Sequence, residues 1–146
     1  MIYEKGKVRY GILNMRSQPS TTSTRVASIP DGTELVVNNN PPGDWCYTYY
    51  GMNQGYVDGY YVNRSGPAEY WEYMLGLKNL YKGCSNSLFV KNLQTELNRA
   101  GYPCGTADGI FGDNTDIAVR NFQRASGIRD DGIAGPQTKS LFYPEP

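Results

Sequence analysis

With 146 residues and 14 basic against 14 acidic side chains, the chain has room for one ordinary domain or two small ones and no net charge. A face built to displace counterions from nucleic acid is therefore not expected, and no apolar run approaches the roughly 20 residues of a membrane span. His is absent, which removes zinc hydrolases with imidazole ligands, imidazole-activated thiol enzymes and triad serine hydrolases, but leaves glycosidases that need only two carboxylates.

The N-terminal residues Met1–Gly6 show no apolar signal region; for an exported protein the expectation is then a trimmed signal or a route that uses none. The first half then reads as short strands cut by turns. These are Val8–Leu13, Arg25–Ile29 stopped by Pro30-Asp31-Gly32, Thr33–Val37 stopped by Asn38–Gly43, and the β-prone Trp45–Tyr50, turned back through Gly51–Gly55 into Tyr56-Val57. Regular short strands with Gly and Pro turns predict a small barrel. Alternation in Trp45–Tyr50 places Trp45, Tyr47 and Tyr49 on one face and Cys46, Thr48 and Tyr50 on the other. Eight of the 13 tyrosines lie within residues 1–64, as suits either half-buried sheet or stacking on sugars and peptides.

The segments Leu13-Asn14-Met15-Arg16-Ser17 with Pro19-Ser20, Ile29-Pro30-Asp31-Gly32-Thr33, Asp44-Trp45-Cys46 and Gly55-Tyr56-Val57 together resemble the bacterial SH3-like domain. Cys46 and Tyr56 depart from it by replacing aromatics, and Asp44 by replacing Gly. The resemblance spans about residues 6–63 and implies an all-β SH3-like barrel with Cys46 and Thr48 packed inward. The Trp45 row would then either face a groove, joined by Tyr60 or Tyr61 and by Asn14, or merely cap the barrel. A flat aromatic row suits a glycan or a Gly-rich peptide.

Ser65-Gly66-Pro67 follows, then Ala68–Lys82, too apolar for a free linker, with Trp71, Met74, Leu75 and Leu77 at helical spacing. A short docked helix is expected here, its aromatics serving packing. Beyond it, Ser87 can cap a helix over Leu88–Ala100 ended by Gly101. A second helix is expected over Thr115–Ala125 and a third over Pro136–Phe142, with Pro136 at the first helical position.

One phrase occurs twice, as Asp108-Gly109-Ile110-Phe111-Gly112 and as Asp131-Gly132-Ile133-Ala134-Gly135, each copy leading into a Thr-bearing first turn. Each reads as a tight loop in which Asp bonds local backbone and Gly takes positive φ, with Ile110, Phe111 and Ile133 as core plugs. Taken with Val90, Leu93, Gln94, Leu97, Gly101-Tyr102, Ala118-Val119, Phe122-Gln123 and Gly127-Ile128, the pattern over residues 83–143 resembles the three-helix peptidoglycan-binding domain of bacterial cell-wall enzymes.

The expected organisation is thus two small domains, an all-β SH3-like barrel over 1–64 and an all-α three-helix fold over 83–146, joined by an aromatic, helical linker over 65–82. In the loops of the second domain, Asp108 and Asp131 read as turn formers, while Asp113, Asn114, Arg129 and Asp130 are the candidate contacts for sugar hydroxyls or stem-peptide groups. Asp108, Asp113 and Asp116 do not follow the EF-hand spacing, and neither a metal nor a cofactor is expected. Cys84 and Cys104 flank the first helix of this domain. Chain length permits a disulfide between them, two inert thiols being the other reading, and Cys46 is left over.

The two resemblances imply a non-catalytic unit that binds peptidoglycan at the bacterial cell wall and brings a hydrolase (endolysin, autolysin or spore-cortex enzyme) to its substrate. The catalytic domain would lie elsewhere in a longer polypeptide or in a partner. Two rivals are a protein-interaction or self-association module and a two-carboxylate muramidase, for which Glu96 and Asp116 would be nominated.

Overall fold

A computed structural model describes residues 3–38 and 45–144. The chain divides into two compact units, Met1–Leu77 and Lys78–Pro146. The expected turn residues Asn39–Gly43, together with Asp44, lie outside the described residues.

Among its described residues the first unit contains seven strands: β1 (Tyr3–Val8), β2 (Leu13–Arg16), β3 (Arg25–Ile29), β4 (Glu34–Asn38), β5 (Trp45–Tyr50), β6 (Asn53–Asp58) and β7 (Val62–Ala68). They form one antiparallel sheet in the order β3-β2-β6-β5-β4-β1-β7. Side-chain alternation decides which residues enter the core. Leu13 and Met15 of β2, Leu35 and Val37 of β4, Cys46 of β5 and Val57 of β6 are buried together with Val8, Ile29 and Val62. Thr48 shares the inward row with Cys46, and its hydroxyl donates to the Val36 carbonyl at 2.7 Å, so this buried polar group is satisfied. β5 and β6 form a hairpin from Trp45↔Asp58 to Tyr50↔Asn53, turned by Gly51-Met52. Gly55 is required in that ladder because a Cβ there would stand 2.6 Å from the Arg16 carbonyl oxygen.

The expected strand Val8–Leu13 is not one strand. β1 ends at Val8, β2 begins at Leu13, and the chain reverses between them through Tyr10 at φ 66° and Gly11 at φ 99°. Val8 is held at this corner by its amide donating to Thr33 O (2.9 Å) and its carbonyl accepting from Gly32 N–H (2.8 Å). A residue in the left-handed region cannot continue a strand.

Of residues 65–82, the first four finish β7, where Pro67 is tolerated because β7 is an edge strand of the sheet. Tyr70–Leu75 then form α1. The Glu72 carboxylate accepts from the Glu69 amide at 2.9 Å and anchors the first turn, and Gly76 at φ 79° ends the helix. The helix packs on β4, whose Val36 is buried on the face opposite Leu35 and Val37, and Tyr73 and Leu75 are its own buried residues.

In the second unit, α2 spans Leu88–Arg99, α3 Asp113–Ala125 and α4 Pro136–Ser140. Ser87 caps α2 by accepting from the Val90 amide at 3.2 Å. α3 starts two residues before the expected Thr115, and α4 stops two short of Phe142. Val90, Leu93, Leu97, Ala118, Val119 and Phe122 are buried, with Phe142 stacked on Phe122 at 4.1 Å between ring centroids. Leu80 and Ala134 exchange backbone bonds of 3.1 and 2.8 Å, tying the start of this unit to the loop before α4.

The expected plugs need correction. Phe111 is buried, but Ile110 and Ile133 are 52% and 41% exposed, and Ala134 is the buried residue of the second loop. The cause lies in the backbone. In each loop the Ile N–H and C=O are both bonded inward, so its side chain turns out and the next residue falls into the core.

Candidate functional site

The second unit is organised by two buried glutamines. Gln94 of α2 donates from Nε2 to Asp108 Oδ1 (3.1 Å), the Ile110 carbonyl (2.9 Å) and Thr115 Oγ1 (3.0 Å), and its Oε1 accepts from the Gly109 amide (2.9 Å). Gln123 of α3 repeats the set, donating to Asp131 Oδ1 (3.2 Å), the Ile133 carbonyl (3.0 Å) and Thr138 Oγ1 (3.0 Å) and accepting from the Gly132 amide (3.0 Å). In both loops the Asp also accepts from the Ile amide at 2.9 Å. Each helix thus clasps the loop that follows it with one amide side chain, and the Thr of the next helix closes the clasp. The bonds from the Ile110 amide and from Gln94 hold the Asp108 carboxyl below the usual carboxylate range.

Asp108 and Asp131 accordingly have a structural use inside the loops. The sequence carries the signal in the loops themselves, where a Thr stands three residues after the second Gly in both copies; the Gln does not repeat at a fixed distance, lying 21 residues before that Thr in the first copy and 15 in the second. The role of the glutamines is visible only once the loops close on them.

The proposed contact residues of this unit lie on the margins of the two loops. Asp113, the first residue of α3, pairs with Lys82 Nζ at 2.5 Å, which holds its carboxyl low and the ammonium high, and Asn114 beside it is exposed. At the second loop, Asp130 accepts from Arg124 Nη2 at 2.9 Å, which lowers its carboxyl, and its carbonyl accepts from Arg120 Nη1 at 3.0 Å. Arg129 is exposed, 3.9 Å from Asp131. Ile110 and Ile133 stand on the same loops. Each loop therefore offers one exposed apolar side chain beside charged and amide groups, a combination suited to a ligand with both apolar and polar faces. The carboxylates nominated for catalysis are each held by an arginine of their own helix, Glu96 by Arg99 at 2.6 Å and Asp116 by Arg120 at 3.1 Å.

Cys46, Cys84 and Cys104 are thiols and not disulfides. Burial raises the Cys104 thiol above its usual range, which keeps it protonated and unreactive.

In the first unit the tyrosines nominated as one row belong to two groups. Trp45, Tyr47 and Tyr49 are half-buried on β5. Tyr47 meets Tyr56 edge-on at 5.0 Å between ring centroids, and Tyr49 meets Tyr73 of α1 at 5.3 Å, with its hydroxyl 3.9 Å from Met74 Sδ. Tyr3 joins the same cluster through Tyr73 at 4.7 Å. Burial pushes the phenols of Tyr3, Tyr47 and Tyr73 upward. The inner end of this row is packing roofed by α1.

Tyr60 and Tyr61 form the second group, on the 3-10 turn Gly59–Tyr61 that Asp58 caps by accepting from the Tyr60 amide at 3.0 Å. They are joined there by Arg9 and Tyr10, which sequence reasoning left out. The three rings are exposed. Asn14, on β2 opposite Ser28, is half-buried.

Known proteins match both units. Residues 86–141 match the family model described as "Putative peptidoglycan binding domain", and residues 11–63 match the model of the bacterial SH3 domain. The chain is 39% identical over 75 residues to the N-acetylmuramoyl-L-alanine amidase CwlM of Mycobacterium tuberculosis, covering 49% of this chain and 18% of that protein. It is 44% identical over 53 residues to a spore cortex-lytic enzyme of Bacillus cereus, covering 36% and 20%. It is 38% identical to the solved SleB N-terminal domain, with a TM-score of 0.43, covering 45% of this chain and 89% of that one. The chain thus spans about a fifth of the length of these curated relatives. Residues 11–63 are thus similar to bacterial SH3 domains and residues 86–141 to peptidoglycan-binding domains, and parts of the chain are similar to short stretches of cell-wall hydrolases.

Proposed function

We propose that the chain is a non-catalytic targeting unit that holds a wall hydrolase on peptidoglycan. The observation that carries this reading is the pairing, in 146 residues, of a match to peptidoglycan-binding domains with a match to bacterial SH3 domains, together with the similarity of part of the chain to short stretches of much longer wall hydrolases. In this reading the first domain is an SH3-like barrel over 1–64, the second a three-helix wall-binding fold over 83–146, and 65–82 joins them. The site of action is the cell wall. The absence of His leaves these residues without the imidazole that zinc and triad hydrolases use, so catalysis belongs to another part of a longer polypeptide or to a partner.

The chemistry of binding follows from the two exposed loops and the exposed tyrosines. Loops fixed from behind by Gln94 and Gln123 present Ile110, Asn114, Ile133 and Arg129 with little entropy left to lose on binding. Two weak sites on one chain raise the effective concentration of each for a repetitive polymer, so retention exceeds that of either domain alone.

The test is co-sedimentation with purified sacculi stripped of secondary polymers, comparing the whole chain with the units 1–77 and 78–146. Pelleting of the whole chain, with less for each unit, is the expected result. No pelleting on walls of several bacterial types refutes the targeting role, and loss of sacculus turbidity on incubation refutes the non-catalytic one.

A further inference from the structure

We propose that Arg9, Tyr10 and Tyr60 form a carboxylate-binding site in the first unit, whose ligand is the free carboxylate of a wall stem peptide. This rests on the wall-binding reading and assigns it a contact.

The geometry is that of a cation held between two rings. The Arg9 Cζ lies 4.8 Å from the Tyr10 ring centroid and 5.3 Å from that of Tyr60, and the rings are 5.9 Å apart. The guanidinium is oriented from behind, Nε donating to the Tyr60 carbonyl at 2.9 Å while the Arg9 amide donates to the Tyr61 carbonyl at 3.0 Å. With Nε used, the Nη1/Nη2 fork stays open for a bidentate carboxylate. Among the described residues no acid pairs with Arg9. Asp31, the acid of the adjoining turn, is committed to the Gly11 amide at 3.1 Å. The charge is therefore fixed, flanked by aromatic faces and unmatched within the described chain.

Tyr10 supplies the second observation. It is the only non-Gly residue with positive φ among the described residues, at 66°, and its ring is 67% exposed. A bulky side chain in the left-handed region is strained, and no burial repays that strain here. The reversal between β1 and β2 that this conformation makes also brings the ring beside Arg9 and opposite Tyr60, itself 58% exposed and braced edge-on by Tyr61 at 5.2 Å. The turn thus leaves an exposed aromatic face beside a fixed guanidinium. A carboxylate on the fork, with a methyl or methylene group of the same peptide against the ring faces, uses every part of the arrangement.

The test is an NMR titration of the whole 15N-labelled chain. The probes are a synthetic stem peptide with free carboxylates and the same peptide with every carboxylate amidated. The free peptide is expected to shift the amides of Arg9–Gly11 and Gly59–Tyr61 and to bind about tenfold more tightly than the amidated one. Arg9→Gln should erase that preference. Tyr10→Gly, which takes the left-handed backbone without strain, should weaken binding several-fold with no loss of thermal stability. Equal affinity for the two peptides, shifts confined to other residues, or an unaltered preference in Arg9→Gln would overturn the site. Sacculus pelleting of the same proteins separates the two failures. Retained pelleting with no effect of Arg9→Gln on either probe removes this site and leaves the targeting role standing. Loss of both pelleting and peptide binding in the wild type removes both.

Discussion

Single side chains carry much of the second unit. Gln94 and Gln123 are almost fully buried, and each has four hydrogen-bond partners, three in the loop that follows its helix and the Thr of the next helix. Gln123→Ala would remove the side-chain partner of the Ile133 carbonyl, Thr138 and the Gly132 amide and one of the bonds to Asp131, so a loss of roughly 2–4 kcal/mol is expected by denaturant unfolding. The Asp108 carboxyl is held low by its bonds, so its contribution is present above the ordinary carboxylate pKa and lost as pH falls through the lowered value. The stability gap between wild type and Asp108→Asn should therefore narrow as pH drops through the acid range. A gap that stays constant with pH would refute the ionised clasp. Tyr10 is the opposite case, a residue at odds with its backbone. Relief of about 1–2 kcal/mol of left-handed strain offsets the greater freedom of Gly in the unfolded chain, so Tyr10→Gly should melt no lower than the wild type.

At the scale of elements, the two loops show how a backbone ladder chooses which side chain enters the core. The Asp-Gly-Ile phrase invites the reading that Ile is the plug, yet the Ile amide and carbonyl are bonded inward and its side chain faces solvent. Phe111→Ala should then cost about 3–5 kcal/mol, whereas Ile110→Ser and Ile133→Ser should stay within about 1 kcal/mol and weaken sacculus pelleting instead. Equal destabilisation by Phe111→Ala and Ile110→Ser would show the assignment of the plug to be wrong. α1 belongs to the same scale. Its Leu75 is fully buried and its Tyr73 touches Tyr3 and Tyr49, so Leu75→Ala should lower the stability of the first unit by about 2–4 kcal/mol and leave the amide spectrum of α2 and α3 in place.

For the molecule as a whole, composition constrains the mode of binding. A chain with equal numbers of acidic and basic groups has no long-range field to draw it to an anionic polymer. Retention on sacculi should change little between about 0.05 and 0.2 M salt, in contrast to the steep loss seen when many lysines release counterions. A fall of a hundredfold over that range would point to diffuse charge attraction in place of shaped sites. In the proposed role, retention is expected to depend on having both domains on one chain, since a tether raises local concentration without adding a contact.

Much of this was legible in the sequence because it rests on local rules. Ser87 as a cap, Pro136 at a first helical turn, the β5–β6 hairpin and the shared face of Cys46 and Thr48 all follow from neighbours within a few residues, while the choice of that face as the inward one came from the SH3-like resemblance, and the doubled Asp-Gly phrase marked both loops. Tertiary structure alone decided the rest. The Val8–Leu13 run broke at Tyr10 because the backbone reverses there to meet Thr33 and Gly32, partners about twenty residues away that periodicity cannot register. The tyrosines parted into a packed group under α1 and an exposed group around Arg9 because strand order, not spacing, sets which ring meets which. The physical reason is the same throughout: propensity and capping act through adjacent residues, whereas burial, register and the pairing of charges are fixed only when distant segments close on one another.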